Sequence, residues 1–124
     1  HAPGYYVTLD ELAAMRFLDS LPAPATVLAA EATGNAIPRF SSARVFVGHE
    51  QLTLDYEKKK PLVEESFSAA ASGDFRRSLL REYGVEYVFF GPTEASLGEW
   101  KPEQDTLFEA EYRSGQVTLY RLVP

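Results

Sequence analysis

His49 is the residue of this chain best suited to move a proton, and Glu31 is the carboxylate placed to work with it. His49 follows an apolar run, Val45, Phe46 and Val47, that stops at Gly48. Glu31 follows a second apolar run, residues 25–30. If both runs are buried parallel strands, both side chains stand outside the carboxyl ends of the strands, where open α/β sheets bind ligands. Such a pair has the chemistry of an acid and a base. No nucleophile, oxyanion donor or third orienting group accompanies it, so no catalytic set is complete. The plainer reading of His49 is a loop cap, or a partner for a nearby carboxylate.

Other polar residues gather around the same positions. Thr33 opens the turn Thr33, Gly34, Asn35, which has the makings of a phosphate cradle at a helix start. The full glycine-rich dinucleotide fingerprint is missing, and a cap and turn is the better reading of these residues. Arg44 begins the second strand, while Tyr56 and Lys59 sit on a helix expected to open near Thr53. Tyr56 and Trp100 are the aromatic candidates for stacking on a sugar. Trp100, beside Pro102 in a stretch of loop composition, would mark a partner contact if exposed. The chain has no cysteine and two histidines, one of them His1, so no metal site and no cofactor is expected.

The elements that must position these residues follow from pattern. Thr8 and Glu11 form the two ends of a capping box. Leu9, Leu12, Ala13, Phe17 and Leu21 then recur at near-helical spacing as the expected buried stripe. Pro22 and Pro24 end that helix, residues 25–30 form the first strand, and residues 44–48 the second. Residues 53–71 read as helical with a break at Pro61. Asp74 is placed to cap a helix that keeps Phe75, Leu79, Leu80 and Tyr83 inward and Arg76, Arg77 and Arg81 outward, with Gly84 as its stop. Residues 85–90 form the third strand. Residues 107–112 and 117–123 flank a hairpin turn through Ser114 and Gly115.

Strands separated by helical connections imply right-handed βαβ units. The expected fold is therefore α/β: a three-layer sandwich with a mainly parallel sheet, its first three strands in the order 2-1-3. The terminal hairpin adds antiparallel pairing. In that order Glu31 and Thr33 after strand one, His49 after strand two, and Thr93 and Glu94 after strand three share one edge.

Composition bounds the partners. A length of 124 residues, 45% of them hydrophobic and 24% charged, is that of one globular domain. A net charge of −6 argues against nucleic acid or an anionic membrane surface as main partner. The one basic cluster, residues 58–60, adjoins acids and reads as a solvated helix face. No run of about 20 apolar residues is present to cross a bilayer.

Several motifs together resemble a known class. They are Glu31, Thr33, Gly34, Ile37 and Pro38; then residues 44–49; then Asp55, Tyr56 and Lys59; then residues 83–88. The ending, with Tyr112, Gly115, Val117, Leu119, Tyr120 and Arg121, completes the set. The pattern resembles the C-terminal extramembrane domain of bacterial polytopic membrane proteins related to dolichyl-phosphate-mannose and oligosaccharyltransferase-like glycosyltransferases. The resemblance implies a domain belonging to the C-terminus of a larger membrane protein, on the extracytoplasmic face of the cell membrane. It implies a non-catalytic role in substrate binding or in stability of the membrane part. The partners it implies are the chain's own upstream transmembrane region and a polyprenyl-linked sugar or its acceptor. Glu31, Thr33, Arg44, His49, Tyr56 and Lys59 are then the binding candidates. Two other readings remain open: a free-standing domain binding a nucleotide or sugar phosphate, and a structural interaction domain docking through the Trp100 segment.

Overall fold

A computed structural model describes residues 7–46, 56–69 and 71–123. His49 lies outside the described residues, as do Thr53 and Asp55.

Helix α1 (Leu9–Asp19) starts as its sequence dictates. The Glu11 amide donates to the Thr8 hydroxyl at 3.1 Å, and the Thr8 amide donates to the Glu11 carboxylate at 2.8 Å. The buried face differs from the expected stripe. Ala14, Met15 and Leu18 enter the core, whereas Leu9 is 86% exposed. Two overlapping apolar faces exist on this helix, and the one chosen also carries Glu11. That carboxylate is already satisfied by the cap, so its burial is tolerated.

Strand β1 (Thr26–Leu28), helix α2 (Glu31–Phe40) and strand β2 (Arg44–Val45) form the first parallel unit. Helices α3 (Tyr56–Ser66) and α4 (Gly73–Glu82) lead to strand β3 (Tyr87–Phe90), which pairs parallel to β1 on its other side. Pro61 lies inside α3 without dividing it, and the helix ends at Ser66, short of the expected position 71. The cap of α4 is Ser72 rather than Asp74; its hydroxyl accepts from the Phe75 amide at 3.0 Å. Gly84, at φ 65°, closes that helix in the left-handed conformation expected of it.

Helix α5 (Pro92–Ala95) and a 3₁₀ turn (Pro102–Gln104) structure a stretch that reads as loop in the sequence. Strands β4 (Phe108–Ser114) and β5 (Val117–Leu122) make the terminal hairpin, with Gly115 at φ 56° in its turn. The sheet order is β2-β1-β3-β5-β4. The expected 2-1-3 order holds, and the hairpin joins through β5 against β3. Among the described residues the sheet is not mainly parallel: two of its four pairings are parallel and two antiparallel. A hairpin inserted as β5 beside β3 adds one antiparallel pair more than a single edge strand would.

Helices flank this sheet, and successive strand residues separate into two cores. Val27, Ala29, Tyr87 and Phe89 pack with α1 and α2, together with Val117 and Leu119. Leu28, Val88 and Tyr120 pack with Val63 of α3, Leu79 and Leu80 of α4, and Trp100. The alternation is the period-two geometry of a sheet covered on both faces. The first turn of α1 also reaches the hairpin tip, where the Ser114 hydroxyl donates to the Asp10 carboxylate at 3.1 Å.

Candidate functional site

Strands β1 and β3 end side by side, and each passes directly into a helix. The chain leaves β1 through Ala29 and Ala30 into α2, and leaves β3 through Gly91 into α5. This is the point where strand order reverses, with β2 on one side of β1 and β3 on the other.

Glu94 ties the two turns together. It is fully buried, and each carboxylate oxygen accepts a backbone amide: Oε2 from Ala30 and Oε1 from Gly91, both at 3.0 Å. The buried Thr33 side chain also hydrogen-bonds to this carboxylate. Burial pushes the Glu94 pKa above the ordinary carboxylate value, while the bonds from Thr33, Ala30 and Gly91 oppose that rise. The N-cap position of α2 is Ala30, which has no capping side chain. Thr33 therefore faces inward as a strut rather than capping the helix.

Beside this strut opens a cleft of about 190 Å³. Ala30, Ala32, Val63 and Leu97 give it apolar walls, and Glu31, Lys60, Glu64 and Thr93 supply its polar groups. Lys60 Nζ stands 3.5 Å from Glu31 Oε1, a half-exposed ion pair joining α3 to the start of α2. Such a pair adds little stability in water. Its value to a site lies in presenting a donor and an acceptor together.

The sequence-predicted residues distribute unevenly around the cleft. Glu31 lines it, and Thr33 lies behind it on Glu94. Arg44 does not join them. It is exposed and pairs in register with Thr26, at the amino end of the parallel strands. Tyr56 opens α3. Lys59 turns away from Glu31: its ammonium sits 5.3 Å from the Phe46 ring centre and 5.2 Å from that of Tyr83. Sequence reasoning did not identify Lys60, Glu64 or Leu97, because only the packing of α3 and α5 brings them to this edge.

The other basic side chain of note is Arg76, read as outward and found 5% exposed. Its Nε donates to the Ser66 carbonyl at 2.8 Å and its Nη2 to the Ser68 carbonyl, satisfying backbone acceptors where α3 ends. Trp100 covers the guanidinium at 4.3 Å, and Asp105 lies 3.9 Å from Nη1. Burial lowers the Arg76 pKa, with the Asp105 charge acting against that. Trp100 is consequently interior, at 7% exposure, and offers no exposed aromatic anchor for a partner.

Among the described residues no helix is long and apolar enough to cross a membrane. No family model and no curated protein matches the chain. Among solved structures, the chain is similar to the C-terminal globular domain of an oligosaccharyltransferase from Archaeoglobus fulgidus. The similarity has a TM-score of 0.70 and covers 96% of this chain and 100% of that one, at 14% sequence identity. At that identity what the two chains share is the fold.

Proposed function

We propose that the chain serves as a non-catalytic accessory domain of a membrane glycosyltransferase-like protein. It acts on the extracytoplasmic face, contributing to substrate binding or to stability of the membrane part. The observation that carries this reading is the likeness of nearly the whole chain to the C-terminal globular domain of an oligosaccharyltransferase. Its partners are an upstream transmembrane region of the same protein and a polyprenyl-linked sugar or the acceptor of that sugar. The cleft beside Glu94 is the surface that meets substrate, with Glu31 as its first polar contact.

The test belongs in the membrane-embedded parent protein. Glu31→Gln and the cleft-filling Ala32→Leu are compared with wild type at matched abundance, reading sugar transfer from a polyprenyl-phosphate-linked donor. The expected result is a KM raised roughly tenfold, equivalent to about 1.4 kcal/mol of lost binding. Transfer unchanged in both variants overturns the substrate-contact role.

A further inference from the structure

The chain joins the fold at a fixed point. Val7 packs against the core beneath α1, and the Thr8–Glu11 capping box holds the turn into the helix. Together they set the angle at which the preceding chain approaches. The hairpin tip clamps this entry: the Ser114 hydroxyl donates to Asp10, and a methyl group on Gly115 would lie 2.1 Å from the Asp10 carboxylate. Because Phe90 pairs with Thr118, that tip lies beyond the carboxyl end of β3. The entry point, the hairpin tip and the cleft therefore share the carboxyl edge of the parallel strands. Apolar side chains also stand there, with Leu9 86% exposed and Leu97 37% exposed. At the opposite edge, where α2 ends, Phe40 is 38% exposed.

We infer that this carboxyl edge is the docking face of the domain, and that it rests on the membrane-embedded part of the same protein. The inference deepens the proposed function and rests on the upstream transmembrane region named there. Connections between structural elements are short, and consecutive elements lie side by side. A membrane part that feeds the chain into Val7 therefore lies nearest the edge at which Val7 sits. Leu9 meets it first, one position past the cap, and Leu97 meets it across the ends of β1 and β3. The cleft opens toward the same part, so that a substrate held there is shared between the two. The occupant is protein rather than lipid headgroups. An anionic bilayer surface attracts clustered Lys and Arg, and it repels a chain of net charge −6.

Single cysteines in the membrane-embedded parent test this, since the chain itself has none. Leu97→Cys and Phe40→Cys form the decisive pair, because the native side chains are almost equally exposed at opposite edges. Leu9→Cys is added at the entry. In a parent freed of other thiols, alkylation by a charged maleimide is followed in opened membrane fragments and again after denaturation in SDS. Relative to its own denatured rate, each of Leu9→Cys and Leu97→Cys should react at least about tenfold more slowly than Phe40→Cys, because cover limits thiol access. Equal rates at the two edges, or slower reaction of Phe40→Cys, overturn the inference. A benzoyl-phenylalanine placed at Leu9 then identifies the cover by photo-crosslinking. An adduct with a peptide of the upstream transmembrane region is expected; an adduct with lipid, with this domain alone or with nothing overturns the inference. Slow reaction at the carboxyl edge beside transfer unimpaired by Glu31→Gln and Ala32→Leu removes the substrate-contact role and leaves the docking face. Impaired transfer beside equal rates at both edges does the reverse.

Discussion

Glu94 holds two backbone turns with one carboxylate, and substitution there exposes how much the cleft depends on it. Glu94→Gln keeps one acceptor oxygen and sets an amide NH₂ against the Ala30 or Gly91 N–H. A buried donor left without an acceptor costs about 1–3 kcal/mol. Urea denaturation should show a loss of that size, with amide shifts of Ala30 and Gly91 changing most. Tyr87 gives the molecule a separate alkaline limit. Its buried phenol hydrogen-bonds to Glu111, and burial first, then that bond and the nearby carboxylate charge, raise its pKa from 10.0 to about 12, against the opposing charge of Arg121. The native state holds this proton more tightly than the unfolded chain does. Its contribution is therefore fully present below pH 10 and is lost as pH rises toward about 12. Stability measured against pH should fall across that window in the wild type and fall less in Tyr87→Phe. Tyr120, raised by burial in the same direction, keeps the variant's profile from becoming flat.

At the scale of elements, the segment after α5 is pressed onto the end of α3. The Trp100 amide donates to the Phe67 carbonyl at 3.2 Å, and a methyl group on Gly98 would lie 2.3 Å from that same oxygen. Gly98→Ala must therefore move backbone, at a cost of about 1–3 kcal/mol, the range for overpacked sites. Chemical denaturation checks this, with Trp100 fluorescence reporting whether the Arg76 stack opens. This same region was the least legible in the sequence. Arg76 shares the inward stripe of Leu79 and Leu80 on α4; its charge argued for the outward reading, and the acceptors at the end of α3 are what let it lie inward. Lys60 gave no sign that it, rather than Lys59, meets Glu31, since neighbours in sequence on a helix point about 100° apart. Elements governed by local chemistry were legible: the Thr8–Glu11 cap, the stop at Gly84 and the hairpin turn at Gly115 each need only a few adjacent residues. The order 2-1-3 followed from crossover handedness. The docking of β5 against β3 is a long-range choice with no local signal. The convergence of Glu31, Thr33, Thr93 and Glu94 on one edge was legible from topology, although Glu94 then appeared as one more residue after a strand rather than the strut between two turns.

On the scale of the whole molecule, both cores are finished by residues late in the chain. The core beneath α3 and α4 is completed by Trp100, Phe108 and Tyr120, and the core beneath α1 by Val117 and Leu119. Both faces therefore draw on the final strands, and β5 separates β3 from the edge of the sheet. The bond from Ser114 to Asp10 spans 104 positions of sequence. Contacts of such separation slow folding, because the intervening chain must be ordered before they form. A ribosome makes this chain from the Asp10 end, at about 5–20 residues per second. Until the hairpin is made, the first helix and the parallel strands lack the residues that complete both cores. The hairpin thus completes the domain: until its strands have emerged, each face of the sheet lacks apolar residues that finish its core.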